Sequence, residues 1–537
     1  MKQRASVRTA IFVAMSLILF FTNSSGAAMG DYMEKITIAG DDFFEWFPAG
    51  DYNSIENEFL VSYRISGFLD TEQVGVWLSG INARRIAHDG TVLGDLIENI
   101  TTPGTGLQAW SKPAYNQFRN EYMISYVLGK EGTGWDLFAR ILDAQGSPIS
   151  EIITISAIPA QAQHPFIVFN PIRRVYFITW DDNRNGTNQN DVFGIMLKED
   201  GSIDKEEFVV CDAPGDQIFT DMAVNTADGS SLVTWEDFRN VDQWRSNGDI
   251  YGAVVSGIGE IIKKDIPVCD DHGKENEGDQ RQQHQTYNST ADNFFVVWWD
   301  ERPTTQNAAV YARIINANGE PAGDDFLLVD APKPQIFCSP RYHEKTDRIF
   351  AVWDDMRDSD PDSQDADKRS QRDIYARWFL PTGEPDGPEI PIETNNGEQR
   401  NPKLIYNPLT DRFLIAWRNY NVDETGGGGA PIGGGHITEA PGNVVGMVYG
   451  TPSFITARVV DKHTHNPVSD ASVAIVGIGL KTSLKTNAGG WFNIAAEGQR
   501  KGWYIAVARK SGFRMAVKLI RYTGKPVDMT IELSSRN

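Results

Sequence analysis

Seven times along this chain an apolar stretch ends in an aromatic residue, at Tyr63, Tyr126, Trp180, Trp235, Trp298, Trp353 and Trp417. Ten residues before each stands a turn-forming position: Asn53, Asn116, Asn170, Asn225, Asn288, His343 and Asn407. Directly before that comes Tyr52, Tyr115, Phe169, Val224, Tyr287, Tyr342 or Tyr406. Asn tolerates left-handed backbone and hydrogen-bonds its own turn, so a constant interval of ten predicts a β-hairpin in every copy. A repeat of this kind outranks any local propensity in deciding what the chain folds into.

Each hairpin is followed by a third alternating stretch, clearest at 191–195, 249–253, 310–314 and 373–377, and a Gly-containing turn leads on to a fourth. The fourth stretches run 152–155, 208–211, 326–329 and 390–392. Four antiparallel strands per unit, seven units and almost no helical periodicity predict an all-β chain with a seven-bladed β-propeller. The seventh unit supplies three strands, ending at 443–449, before the sequence changes character. Its missing fourth strand is expected from the other end of the chain, at Lys35–Ala39, pairing into the last blade and removing a free edge.

Residues 1–28 read as an export signal. Lys2, Arg4 and Arg8 precede a short apolar run from Ala10 to Phe21, and small residues follow at 25–28. Twelve apolar residues are too few to span a bilayer, and no later stretch reaches the roughly 18 that a span needs. The expected location is therefore secreted, periplasmic or cell-surface. The propeller is assigned to 29–451. Three cysteines exclude a disulfide scaffold, and a net charge of -22 argues against nucleic acid as a partner. Cys211 and Cys269 occupy matching places in neighbouring blades, which diverge outward, so free buried thiols are expected for them and for Cys338.

A second, smaller all-β unit is predicted at 452–537. Ile455–Asp461, Asn466–Val468 and Ala471–Ile475, with the turn Thr486–Phe492 and then Trp503–Val507 and Gly512–Phe513, resemble the carboxypeptidase regulatory-like (transthyretin-like) domain family. Asn487 stands where that family usually has Asp. The resemblance implies a β-sandwich without catalytic residues of its own. This unit carries 13 Lys plus Arg against 5 Asp plus Glu, so it is expected either to dock on the acidic propeller or to meet an anionic envelope partner.

The most distinctive polar pattern follows the repeat tryptophans. Asp182, Asp237, Asp300 and Asp355 come two residues after them, and Arg184, Arg239, Arg302 and Arg357 four after. Offsets of two and four share a side of an extended strand, so each Asp can pair with its Arg. Two readings follow: a ring of carboxylates and guanidinium groups that binds sugars or other polar ligands, or four repeated hairpin pins. Recurrence favours the pins, because a binding or catalytic centre is normally built once. The Trp-x-Asp-x-Arg pattern also resembles secreted bacterial propeller proteins, whose roles are mostly binding or unassigned.

Asp358, Asp360 and Asp362 form an acidic loop with the alternate spacing that Ca²⁺ accepts, and they are the candidate metal residues. Ser363 and Arg369 break the EF-hand pattern, so a solvated loop is the competing expectation, and no other cofactor is implied. His164, His284 and His343 fall on or near first strands without metal-ligand spacing. Asp216, Asp221 and Glu398 are the carboxylates a channel enzyme would use. These features predict an exported binding or scaffold protein: a propeller face for a carbohydrate or protein ligand, with the sandwich as a docking module. The alternative is a secreted carbohydrate-active hydrolase or lyase.

Overall fold

The computed structural model describes residues 35–40, 44–71, 74–98, 100–101, 108–130, 134–186, 189–240, 247–271, 278–302, 307–360, 363, 371–395, 397–420 and 442–536. The export segment 1–28 lies outside them. The described chain is all-β, and it contains no helix long and apolar enough to cross a membrane.

Before Gly450 the described strands form seven four-stranded antiparallel sheets. Sheets 1 to 6 are each built from four consecutive strands. Sheet 3, for example, runs Gln163–Asn170, Val175–Asp182, Asp191–Lys198 and Ile203–Cys211. Sheet 7 takes Glu398–Asn407, Arg412–Tyr420 and Gly442–Tyr449, and its fourth strand is Lys35–Thr37, which pairs antiparallel with Gly442–Tyr449. First strands of successive sheets touch in order, and those of sheets 7 and 1 touch as well. The outcome is a β-propeller arrangement.

The core lies between sheets. Ala109, Met123 and Leu137 of sheet 2 pack on Ile178, Trp180 and Phe193 of sheet 3. Ile36, Leu414 and Val444 of sheet 7 pack on Phe59, Val61 and Ile86 of sheet 1. The five repeat tryptophans, with Tyr63 and Tyr126, are fully buried in these layers.

The interval of ten has a local cause. Asn53 Oδ1 accepts the N–H groups of Ile55 and Glu56, both at 2.9 Å, and Asn116, Asn170, Asn225, Asn288 and Asn407 do the same two and three residues on. Four residues after each the backbone turns left-handed, at Asn57, Asn120, Arg174, Gly229, Asp292, Asp347 and Asp411. The tyrosine before the repeat Asn donates to that residue: Tyr52 to Asn57 at 2.9 Å, Tyr287 to Asp292 at 2.7 Å and Tyr406 to Asp411 at 2.7 Å. Where Val224 replaces the tyrosine, Gly229 adopts φ +82° and needs no such support. Spare amide protons then tie neighbouring turns together. Asn225 reaches Asp292 at 3.0 Å, and Asn407 reaches Asn57 at 3.0 Å across the junction of sheets 7 and 1.

Two boundaries differ from the sequence reading. The second strands of sheets 1 and 2 continue past Tyr63 and Tyr126 to Thr71 and Lys130, because those copies lack the Asp and Arg that end the strand elsewhere. The fourth strand of sheet 3 begins earlier, at Ile203, with register shifts that let its exposed polar residues continue the pairing.

From Ser453 the chain forms two sheets. In one, Ser453–Asp461 lies between Trp491–Ala495 and, in parallel, Val527–Leu533; the other orders Leu480–Lys485, Ser472–Gly477, Gly502–Arg509 and Ala516–Tyr522. Their shared core, including Phe454, Val473, Phe492, Tyr504 and Ile531, draws only on this segment. The unit rests on the turn of sheet 1. Arg458 pairs with Glu56 at 2.9 Å, Trp491 Nε1 donates to the Ile55 carbonyl at 2.9 Å, and Asn487 Nδ2 donates to the Ser54 carbonyl at 3.2 Å. Gly489 sits so close to Ile55 that a Cβ there would meet the Ile55 oxygen at 2.2 Å.

Candidate functional site

The four Asp–Arg pairs form as hairpin units. Asp237 is fully buried and accepts four hydrogen bonds: from Trp235 Nε1 at 2.7 Å, from the Arg239 N–H at 2.9 Å, and from Arg239 Nε and Nη2 at 2.9 and 2.7 Å. Asp182–Arg184 and Asp355–Arg357 repeat this with Trp180 and Trp353 as donors, and Asp300–Arg302 does so through the Arg302 N–H and Nη2 with Trp298 as donor. Each guanidinium lies over the ring that opens the third strand, 3.8 Å from Phe193 and 4.1 Å from Tyr251, Tyr311 and Tyr375. Each also reaches a carboxylate on or directly before the fourth strand: Glu207, Asp265, Asp325 or Glu389. Burial opposes the charge on Arg239, but Asp237 and Asp265 outweigh it and hold its pKa above the ordinary range. The four pairs lie in four sheets, and none lines the central cavity.

The remaining sequence candidates scatter. Asp358 and Asp360 are exposed, Asp362 lies outside the described residues, and no cluster of three metal-ligating side chains occurs among the described residues. All three cysteines are free and buried. His343 does turn duty, bonding Thr346 Oγ1 at 2.6 Å and Asp411 at 2.5 Å. Asp216 caps the Asn190 N–H at 2.8 Å, and Glu398 pairs with Arg400. Neither faces the cavity; of the three proposed channel carboxylates, only Asp221 does.

The first strands enclose a central cavity of about 770 Å³, lined from all seven sheets. Every first strand carries a bulge at the same place. The register slips between Trp46 and Ala49, Ala109 and Lys112, Gln163 and Phe166, Ile218 and Asp221, Arg281 and His284, Ile336 and Ser339, and Arg400 and Lys403. One residue in each bulge is left-handed: Phe47, Trp110, His164, Phe219, Gln282, Phe337 and Asn401, with φ from 47° to 57°. Bulky side chains rarely adopt this backbone, which costs roughly 1–3 kcal/mol per residue, so a ring of them needs support from outside the strand. Part of that support is acidic. Asp181 accepts the Phe219 N–H at 3.1 Å, Glu236 that of Gln282 at 2.9 Å, and Asp354 that of Asn401 at 3.0 Å, each from the preceding sheet.

Two residues beyond each bulge lie Ala49, Lys112, Phe166, Asp221, His284, Ser339 and Lys403, all lining the cavity, and two further on come Asp51 and Arg341. The charges at these positions do not repeat. Asp221 Oδ2 bonds His284 Nδ1 at 2.6 Å, and Lys403 Nζ lies 2.7 Å from His284 Nε2. With Lys403 donating to Nε2, His284 carries its proton on Nδ1 and donates it in a hydrogen bond to Asp221. Asp51 accepts the N–H groups of Tyr52 and Tyr115, both at 2.8 Å. Lys112 Nζ sits 3.2 Å over the Phe166 ring. Burial dominates the electrostatics. It lowers Lys112 to about 7 and Lys403 to about 8, lowers Arg341 and His284, and raises Asp51. Asp354, fully buried behind Asn401, is pushed up to about 8 by burial.

The sequence reading singled out Asp221 and His284 but not Lys112, Arg341, Lys403 or Asp51. A signal for them existed: Lys112, Asp221, His284 and Lys403 all stand four residues before a repeat Asn, and Asp51 and Arg341 two before a repeat Asn or His.

No family model matches the chain, and no curated protein sequence matches it. Among solved structures it is similar to a protein of unknown function from Dyadobacter fermentans (11% identity, TM-score 0.41, covering 78% of this chain and 99% of that one). It is also similar to the β-propeller domain of the Trilobed protease from Pyrococcus furiosus (9%, TM-score 0.39, 71% and 93%) and to the phage phi92 endosialidase (9%, TM-score 0.40, 78% and 68%).

Proposed function

We propose that this chain is an exported binding protein: a seven-bladed propeller that takes its ligand, a carbohydrate or a protein segment, into the central channel, with the carboxypeptidase regulatory-like unit 452–537 as a docking module. The reading rests on one observation. The charged groups of the channel wall are a single non-repeating cluster in a cavity of small-ligand size, whereas the Asp–Arg pairs recur four times and consume their own hydrogen bonds. The pairs are proposed as framework. Binding is preferred over the hydrolase or lyase reading because the two first-strand carboxylates of the cavity are already engaged, Asp221 by His284 and Asp51 by backbone N–H groups. A glycan and peptide array probed with the wild-type protein and with Ala49→Trp, which fills the channel, tests the reading. Binding that disappears in a normally melting Ala49→Trp protein supports it; binding that survives moves the ligand to another surface.

A further inference from the structure

Lys112, Arg341 and Lys403 come from sheets 2, 6 and 7 and converge on one cavity in a chain whose net charge is -22. Placing cations away from water is costly unless partners satisfy them. Partners inside the cavity are too few. Lys112 has the Phe166 face and Lys403 has His284, and neither is a negative charge. Arg341 makes no hydrogen bond or ion pair within 4 Å among the described residues. Asp221 attracts all three at longer range and Asp51 attracts Lys112 and Arg341, but each carboxylate is already held by N–H donors of its own. None of the three cations thus forms an ion pair with a carboxylate within 4 Å among the described residues, although all three line the cavity.

The wall around them is aromatic. Phe47, Trp110, Phe166, Phe219 and Phe337 line the same cavity, four of them at the strained left-handed positions. Aromatic faces suit the C–H face of a sugar ring or another flat ring, and they offer nothing to a bare inorganic anion.

We propose that the channel binds a sugar acid, a saccharide bearing a carboxylate, with Arg341 and the two lysines holding the carboxylate and the aromatic collar holding the ring. This deepens the channel-binding reading and rests on it. Arg341 supplies a two-pronged donor that matches a carboxylate, and Lys112 and Lys403 flank it as point charges. The neutral His284, fixed by Asp221, serves as a positioning residue for Lys403. Glu344, which also lines the cavity on the turn side, repels a second carboxylate and so favours a ligand with one acidic end.

Calorimetric titration of the wild-type protein with D-glucuronate, D-glucose and inorganic phosphate is the test, repeated on Arg341→Met, Lys403→Met, the conservative Arg341→Lys, and Ala49→Trp, with melting curves for each. Glucuronate is expected to bind at least tenfold more tightly than glucose or phosphate. Each methionine variant should lose tenfold or more, and Arg341→Lys should lose less. Should a methionine variant fail to melt cooperatively, Arg341→Lys alone carries the comparison. Equal affinity for glucose, or methionine variants that keep glucuronate affinity, would overturn the sugar-acid assignment; if Ala49→Trp still abolished binding, channel binding itself would stand. Phosphate binding as tight as glucuronate would reduce the site to a simple anion trap, which also overturns the assignment, as would no binding of any of the three. Glucuronate binding that survives Ala49→Trp would overturn the channel reading as well.

Discussion

At the residue scale the repeat is a set of solved hydrogen-bond problems, and the Asp–Arg pair is the most exacting. Removing the Asp237 carboxylate orphans the Trp235 indole and leaves Arg239 with the half-exposed Asp265 as its remaining carboxylate partner. Breaking a buried pair from one side costs about 3–5 kcal/mol, so Asp237→Ala is expected to lower stability by that amount. Asp182→Ala and Asp355→Ala should give matching losses in chemical denaturation, and one variant with unchanged stability would show that its pair is not framework. Across the hairpin from Asp237 stands Asp249, raised to about 7 by burial and by the Asp270 and Asp271 carboxylates, against the pull of Asn240 and the Asp271 N–H. An acid with a raised folded pKa binds more protons folded than unfolded, so it costs stability as pH climbs from about 4 to 7. Asp249→Asn should therefore be neutral near pH 4 and gain about 1–3 kcal/mol at pH 8, read from denaturant midpoints at the two pH values. A gain of equal size at both would assign the effect to packing.

At the element scale the weakest joint is the sheet completed from both ends of the chain. Lys35–Thr37 contributes only three paired residues, but Ile36 and Ile38 are buried in the layer between sheets 7 and 1, and the Ile38 and Ala39 N–H groups both reach the Val444 carbonyl. Deleting residues 35–40 uncovers Gly442–Tyr449 as a free edge and removes two large apolar side chains, each worth roughly 1.5–3 kcal/mol of burial. The expected result is a lower melting temperature with self-association by light scattering. A deletion that melts like the wild type and stays monomeric would show that the strand is dispensable.

At the scale of the whole molecule, the two units meet through a few contacts on two turns of sheet 1, at Ser54–Glu56 and at His88. Asn487 holds its own turn through Oδ1 and reaches Ser54 through Nδ2, a donation that an aspartate cannot make. This gives an Asn at this position a physical reason. Asn487→Asp should keep the fold of 452–537, loosen its docking by about 1–3 kcal/mol and bring a carboxylate toward Glu56. Faster proteolysis at the Gly450–Thr451 junction, with the core of 452–537 still protected, is the expected sign; unchanged cleavage would place the docking energy elsewhere.

What was legible in the sequence was whatever repeats. The hairpin Asn, the buried tryptophans and the Asp–Arg pairs recur because each solves the same local problem within about ten residues, so spacing alone exposes them. The strand Lys35–Ala39 could be read because it looks like another fourth strand and the seventh unit was one short. The channel was not legible in the same way. Lys112, Arg341 and Lys403 are separated by up to 291 residues, and each looks like an ordinary charge on an alternating strand. Only the circular order of the sheets brings them to one axis, and only the bulge before each one turns it inward. The sequence determines the unit that repeats, because hydrogen bonding and strand periodicity are local; tertiary closure decides which unrepeated charges share a cavity, because that depends on how seven units pack around a common centre.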